Sequence, residues 1–277
     1  MNCSTTTEPV GGESAHADRA AVPAAHGDIL VRVEWRGALF LNYEMDPALL
    51  RAEVPRTFEL ELHDGKAIVS VVALTMRRFR AHPRGPFWAH CFSVLPEQRF
   101  LNLRTYVRHG HETGAFFFWS WLSRPWGMPL PARPFGLTCE FAASCYRLED
   151  RNGRLDGAVE ARRGRFSYRA RLNKGETFTP CERGSLAEFA LERYSGFFWH
   201  RRAGRVFRVQ HPPWVQAPVE ATIEDPLVGR VLPWFNNARF VSACFAPGFN
   251  DVLIGPPCPL DRVQPRRRTH RAFLEFP

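Results

Sequence analysis

Along RFLNLRTYV, residues 99 to 107, the residues able to do chemistry recur at every second position. Asn102, Arg104 and Tyr106, with Phe100 before them, share one face of a strand; Leu101, Leu103, Thr105 and Val107 share the other. A guanidinium between an amide and a phenol can hydrogen-bond an anion or a carbonyl, provided the face looks inward. After the loop HGHETG comes AFFFWSWL, in which Phe116, Phe118, Ser120 and Leu122 alternate with Ala115, Phe117, Trp119 and Trp121. Both faces are apolar, the mark of a strand covered on both sides. If the two strands form a hairpin, large rings stand beside Asn102 and Arg104. Turned to solvent, those rings would make an exposed patch of a kind that soluble monomers avoid. Turned inward, they would line an aromatic cavity with a few polar groups, as in small-molecule pockets. Periodicity alone leaves both arrangements open.

Burying an arginine costs several kcal/mol unless it is paired. An enclosed Arg104 therefore calls for a carboxylate partner or an anionic ligand. Glu140 and Glu192 are candidate partners, and spacing does not choose between them. Glu140 is also a candidate ligand-binding residue, and a general acid or base if burial raises its pKa. Its neighbour Cys139 would be reactive only with a nearby cation or helix N-terminus to lower its pKa; otherwise it is an inert thiol. Consecutive strand residues point to opposite faces, so Cys139 and Glu140 cannot both enter one lumen.

Other chemistry has less support. His109, His111 and Glu112 have an alternation that invites a metal, but they occupy a hairpin loop with no third ligand at a recognised spacing. His211, before two prolines, reads equally as a loop residue or a site residue. No G-x-S-x-G, P-loop or G-x-G-x-x-G occurs, so no metal, cofactor or catalytic residue is assigned. All but two of the 37 basic residues are arginine, which restricts lysine chemistry to Lys66 and Lys174. Both fall in turns and read as exposed.

The elements that must position these residues are mostly strands. FELEL and AIVSVVAL flank Asp64-Gly65, and CEFAASCYRLE and RLDGAVEAR flank Asn152-Gly153, two hairpin signals built on residues tolerant of positive φ. RFSYRARL, RVFRVQH, PVEATIE, ARFVSACFA and NDVLIG add strand-like runs. Helices are short. DPALLRAEV has Asp46 as N-cap and Pro47 at the first helical position. GSLAEFALERY carries the capping box Ser185-x-x-Glu188, with Leu186, Phe189, Ala190 and Tyr194 on one face. DPLVGRVLP allows one more turn. The pattern predicts an α+β, mostly β protein around a large, closed or nearly closed sheet.

Residues 1–27 lack periodicity and read as a disordered leader, 28–262 as a single β-rich barrel domain and 263–277 as an Arg-rich tail. The leader has no apolar h-region, and the longest apolar run is too short to span a bilayer. The seven cysteines are odd in number and form no C-x-x-C. A cytoplasmic location with reduced thiols is expected. Of the net charge of +9, part lies in RVQPRRRTHRAFLEFP, where five arginines face one glutamate. That run reads as a solvated tail that could also touch nucleic acid or an anionic membrane. No finger, homeodomain or basic-zipper spacing supports nucleic-acid recognition.

Seven segments, in order, resemble a bacterial family, the domain of unknown function 2071: FLNYEMDPALL, FELELHDGKAIVSVVALTMR, FLNLRTYVR, GAFFFWSWL, ARPFGLTCEFA, GSLAEFALERY and HPPWVQAPVEA. The family is similar to the acetoacetate decarboxylase-like superfamily. The resemblance implies a β-barrel or cone enclosing a small-molecule cavity, with the Asn-x-Arg-x-Tyr signature at Asn102, Arg104 and Tyr106. Two departures matter. FGLTCEFA stands where relatives usually read FGLPYYWA, so Thr138, Cys139, Glu140 and Phe141 replace a proline and aromatics. The Schiff-base lysine of the decarboxylases would fall in Gly136-Leu137-Thr138-Cys139, where there is none.

Three functions are compatible with this reading. The first is a barrel binding a small anionic or carbonyl-bearing molecule through Asn102, Arg104, Tyr106 and Glu140, with or without acid–base catalysis. The second is a non-catalytic ligand carrier or sensor using the same cavity. The third is a basic interaction protein acting through its tail. Oligomeric state is not encoded in any of these features.

Overall fold

The computed structural model describes residues 30–81, 97–123, 137–149, 153–173 and 175–260. The leader, the tail and Lys174 lie outside the described residues.

The chain opens with β1 (Val31–Met45), helix α1 (Pro47–Arg51), the short strands β2 (Glu59–Leu60) and β3 (Leu62–His63), then the long β4 (Lys66–Ala81). The strands β5 (Gln98–His109), β6 (Glu112–Leu122), β7 (Cys139–Phe141), β8 (Ala143–Glu149), β9 (Arg154–Ala161) and β10 (Gly164–Leu172) follow. After β11 (Thr179–Pro180) come α2 (Leu186–Leu191), β12 (Ser195–His200), β13 (Ala203–Gln210) and β14 (Val215–Glu224). The described chain ends with α3 (Val228–Val231), a 3-10 turn (Pro233–Asn237), β15 (Arg239–Ile254) and β16 (Cys258–Pro259). ARFVSACFA and NDVLIG are thus one strand, running through Gly248, whose φ of 99° a residue with a side chain would rarely adopt.

The local signals correspond to local structure. Asp64 and Gly65 both have positive φ, 49° and 73°, and turn β3 back onto β4. The Asp46 carboxylate accepts from Ala48 N at 2.7 Å, capping α1. Ser185 Oγ accepts from Glu188 N at 3.1 Å, and the Glu188 carboxylate reaches back to Gly184 N at 2.6 Å. The Asp225 carboxylate accepts from Val228 N at 2.6 Å at the start of α3.

The sheet closes on itself. β13, β12, β6, β5, β4, β1 and β15 are neighbours in that order, and β15 pairs back onto β13 through Val209↔Ile254 and Gln210↔Leu253. Within this ring only β6–β12 is parallel. From β15 the sheet also continues through β14, β10 and β9 to β8. That extension folds over the outside of the ring. Leu155, Val159, Phe166 and Tyr168 pack there with Leu41, Val71, Leu103 and Trp121 to form the largest core cluster. The strands β4, β5 and β6 are therefore covered on both faces, which accounts for their near-continuous apolar runs.

Strand β6 departs from the sequence reading. Leu103 opposes Trp119 and Arg104 opposes Phe117, so Phe118 has no opposite partner on β5. This β-bulge inserts one residue and reverses the alternation beyond it. Ala115 and Phe117 consequently share the inner face with Ser120 and Leu122, whereas Phe116, Phe118, Trp119 and Trp121 join the outer clusters. Strict alternation had set Ala115 and Phe117 opposite Ser120 and Leu122, and the bulge corrects that.

The parallel seam depends on a residue without a side chain. A Cβ on Gly114 would lie 2.3 Å from Ser195 O and 2.8 Å from the Phe197 ring. Gly114→Ala is expected to pry β6 from β12 and to cost about 1–3 kcal/mol in urea unfolding, with an unchanged m-value.

At the far ends of β1 and β4 an ion cluster holds the strands together. Glu34 accepts from Arg77 Nε at 2.9 Å and from Arg78 Nη1 at 2.8 Å, and Arg36 lies 3.3 Å away. Burial alone would raise the Glu34 pKa, but the three guanidinium groups overcome it and hold the pKa at about 2, below its ordinary 4.5. A depressed carboxylate stabilises the fold above its unfolded pKa and loses that contribution as pH falls through the folded one. Wild type should therefore exceed Glu34→Gln in melting temperature above about pH 4.5, and the gap should close as pH falls toward 2.

Candidate functional site

The ring encloses two inner clusters. α2 closes one part of the interior, setting Ala190 and Leu191 against Phe40, Val72, Tyr106 and Trp214. Val33, Phe198, Phe207, Val209 and Val252 fill another part. Bordering both is a cavity of about 200 Å³. It is small beside the roughly 300–1,000 Å³ usual for ligand pockets, so it fits a small molecule.

The inner face of β5 supplies Gln98, Phe100, Asn102 and Arg104 to the cavity wall, in the phase read from the sequence. Arg104 is partly buried. Its guanidinium lies 5.1 Å from the centre of the Phe40 ring and 5.8 Å from that of Tyr106, within cation–π range. Nη2 donates to Ala190 O at 3.0 Å, tying the end of α2 to the barrel wall. Nε is buried and has no partner. Among the described residues no carboxylate pairs with Arg104, so neither of the two expected partners does so. Glu192 instead accepts from Trp214 N at 2.7 Å and from the Tyr194 hydroxyl at 2.6 Å.

The other candidate residues separate. Asn102 is buried in the cavity wall; Nδ2 donates to Val72 O at 3.3 Å, and Oδ1 is unpaired. Tyr106 is fully buried beneath α2, its hydroxyl 2.6 Å from Ser70 Oγ. Ser70 donates to Asn42 Oδ1 at 2.7 Å, and Asn42 donates to Ser242 at 3.2 Å. The phenol thus ends a polar chain across β5, β4, β1 and β15 and is not among the cavity-lining residues. Glu140 is not among them either. In the parallel pairing of β7 with β6 it opposes Trp121, an outer-face residue, and Cys139 opposes Ser120. Cys139 is the one of this pair that reaches the cavity; although exposed by area, it has its thiol pKa raised by desolvation.

Some wall residues were not singled out from sequence. Arg193 lines the cavity beside Arg104, stacked 4.4 Å from the centre of the Phe189 ring, but its charge is already paired with Glu61 at 2.5 Å. Trp35 and Trp214 also line it, each with an unpaired indole N–H. Gln98 and Ser120 could have been found from sequence, since each is in phase with Asn102 once the β5–β6 pairing is known. Nothing local marks Arg193 or Trp214.

His211 is a buried ring stacked between Tyr194 and Phe249, its Nδ1 2.7 Å from Pro212 O. Burial lowers its pKa despite the nearby carbonyls and Glu192, which favours the neutral form. Glu112 turns from the histidine loop toward Arg208 and Ser195, at 3.0 and 2.5 Å. Lys66 is exposed at the start of β4. No lysine, histidine or carboxylate is among the described residues lining the cavity. No helix among them is long and apolar enough to cross a membrane.

Known structures share this architecture. An acetoacetate decarboxylase from Legionella pneumophila superposes with a TM-score of 0.60 at 15% identity, covering 88% of this chain and 93% of that one. An acetoacetate decarboxylase-like enzyme from Sphingomonas wittichii gives 0.54 at 19% identity, with 84% and 94% covered. The enduracididine biosynthesis enzyme MppR, complexed with the condensation product of pyruvate and imidazole 4-carboxaldehyde, gives 0.59 at 14%, with 83% and 88% covered. At these identities the likeness establishes the acetoacetate decarboxylase-like fold. In sequence, the uncharacterized protein YqjF of Bacillus subtilis is 27% identical over 199 residues, 70% of this chain and 78% of that protein. The model of the uncharacterized conserved family DUF2071 matches residues 32–228, most of the ring and its outer extension. The chain belongs to the DUF2071 family, on an acetoacetate decarboxylase-like, mostly β fold.

Proposed function

We propose that this protein binds a small organic acid in the barrel cavity, with Arg104 as the anion clamp. One observation carries the reading: the Arg104 guanidinium stands among aromatic rings on an apolar cavity wall, with Nε unpaired and no carboxylate partner among the described residues. A charge so placed is costly unless a ligand anion or water completes it, and a carboxylate matches the guanidinium fork. The pyruvate-derived ligand in MppR supports the same class by analogy of fold.

Asn102 is the second wall residue available to the ligand. Tyr106 serves at one remove, through the ring on which the guanidinium rests. A carrier or sensor role is favoured over catalysis because the described wall offers no carboxylate, histidine or lysine for proton transfer. Titrating small monocarboxylates while following tryptophan emission tests the reading, because Trp35 and Trp214 line the cavity. Saturable quenching or enhancement that is lost in Arg104→Met is expected. A response indifferent to that substitution, or turnover of the bound acid, would contradict the respective part of the proposal.

A further inference from the structure

We infer that Asn102 and Ser120 form a second subsite in the cavity, which takes an uncharged hydrogen-bonding group carried by the same acid. The inference rests on the reading of Arg104 as the acid clamp and specifies what the rest of the ligand must be.

Asn102 and Ser120 are directly opposite each other on β5 and β6, and both line the cavity. They are 1% and 0% exposed. Asn102 Oδ1 and Ser120 Oγ have no hydrogen-bond partner within the described protein, although the large majority of such buried atoms are paired. The rungs beside them differ. Phe100 and Leu122, one step further along the same strands, are apolar. Arg104 is one step the other way, so its backbone position is about 7 Å from that of Asn102, one two-residue repeat of an antiparallel strand.

The chemistry of the pair fixes the ligand group. Ser120 can donate or accept by turning its hydroxyl, and Asn102 Oδ1 accepts. Cys139, next along the rung beside Ser120, has its thiol pKa raised. With no ionised partner among the described wall residues at this level, a second charge on the ligand would be desolvated without compensation. A hydroxyl or an amide fits; an ammonium or a second carboxylate does not. The ligand class is a monoanionic acid with an apolar body and a neutral polar group about one strand repeat from its carboxylate.

The test uses the full chain and three acids of about that length: hexanoate, ω-hydroxyhexanoate and ω-aminohexanoate. By calorimetry, the hydroxy acid should bind at least about fivefold more tightly than hexanoate, the amount one net hydrogen bond supplies. The amino acid should bind more weakly than either. In Ser120→Ala the ratio of hydroxy acid to hexanoate should fall toward one, and Arg104→Met should weaken both. If hexanoate binds through Arg104 but the wild-type ratio is near one, the subsite is wrong and the acid clamp stands. If hexanoate does not bind, or ignores Arg104→Met, the acid clamp falls and the subsite with it. Binding is measured on wild type first, so the wild-type ratio decides the subsite whether or not a variant folds.

Discussion

Arg104→Met should weaken binding of a monocarboxylate by about 100-fold or more while leaving the melting temperature nearly unchanged. The two effects separate because the guanidinium has two different jobs. Toward a carboxylate it would supply charge-assisted hydrogen bonds, each about 1.5–3 kcal/mol, and two of them exceed the roughly 2.7 kcal/mol of a 100-fold change. Toward the protein it makes one hydrogen bond, from Nη2 to Ala190 O, worth about 1 kcal/mol net. Methionine loses that bond but also removes a partly buried charge with no ion-pair partner among the described residues, and its flexible thioether can fill the space. Arg104→Lys should be intermediate in affinity, keeping the charge without the planar fork. Calorimetry and thermal melting on the same samples check both halves. A large fall in melting temperature would instead mark Arg104 as chiefly a brace for α2.

Trp121→Ala should be the most damaging single truncation in the outer core, at about 3–5 kcal/mol and a drop of roughly 10 °C in melting temperature. Trp121 is fully buried and opposes Leu101 across β5–β6. Its ring packs where the barrel wall meets the β8–β10 extension, so a cavity there loosens both layers. Its indole N–H is unpaired, so Trp121→Phe should cost far less than Trp121→Ala. Urea unfolding with a preserved m-value would confirm that the loss lies in packing.

The parts of this architecture legible in the sequence are those decided by neighbouring residues. Asp64-Gly65 turns the chain because both positions take positive φ, and Asp46 and Ser185 cap helices with their own side chains. The phase of β5 was readable for the same reason, since its two-residue alternation runs unbroken from Gln98 to Tyr106. What closes the barrel was not readable. β15 meets β13 over two residue pairs, and β12 meets β6 in parallel at Ala115 and Phe116, with Gly114 close against Ser195; both depend on strands distant in the chain.

Site legibility followed the same boundary. Opposite faces for Cys139 and Glu140 were given by alternation, but which of them looked inward awaited the β6–β7 register. An enclosed Arg104 called for a carboxylate partner or an anionic ligand; the protein supplies a helix-end carbonyl, because α2 brings Ala190 across from a position 86 residues away. The other guanidinium on the cavity wall, Arg193, does have a carboxylate partner, Glu61, 132 residues distant. Local spacing carries no information about either.

The unpaired Phe118 has a consequence for how such a strand can change over time. A strand has only two sides, so an inserted residue flips everything downstream of it unless a bulge absorbs it. Removing Phe118 would leave Leu103 opposite Trp119 and Arg104 opposite Phe117 in a regular ladder, with Ala115, Phe116 and Phe117 on the faces they already occupy. A single deletion at Phe118 should therefore be tolerated without a compensating change, whereas a deletion elsewhere in β6 would have to be offset at the bulge.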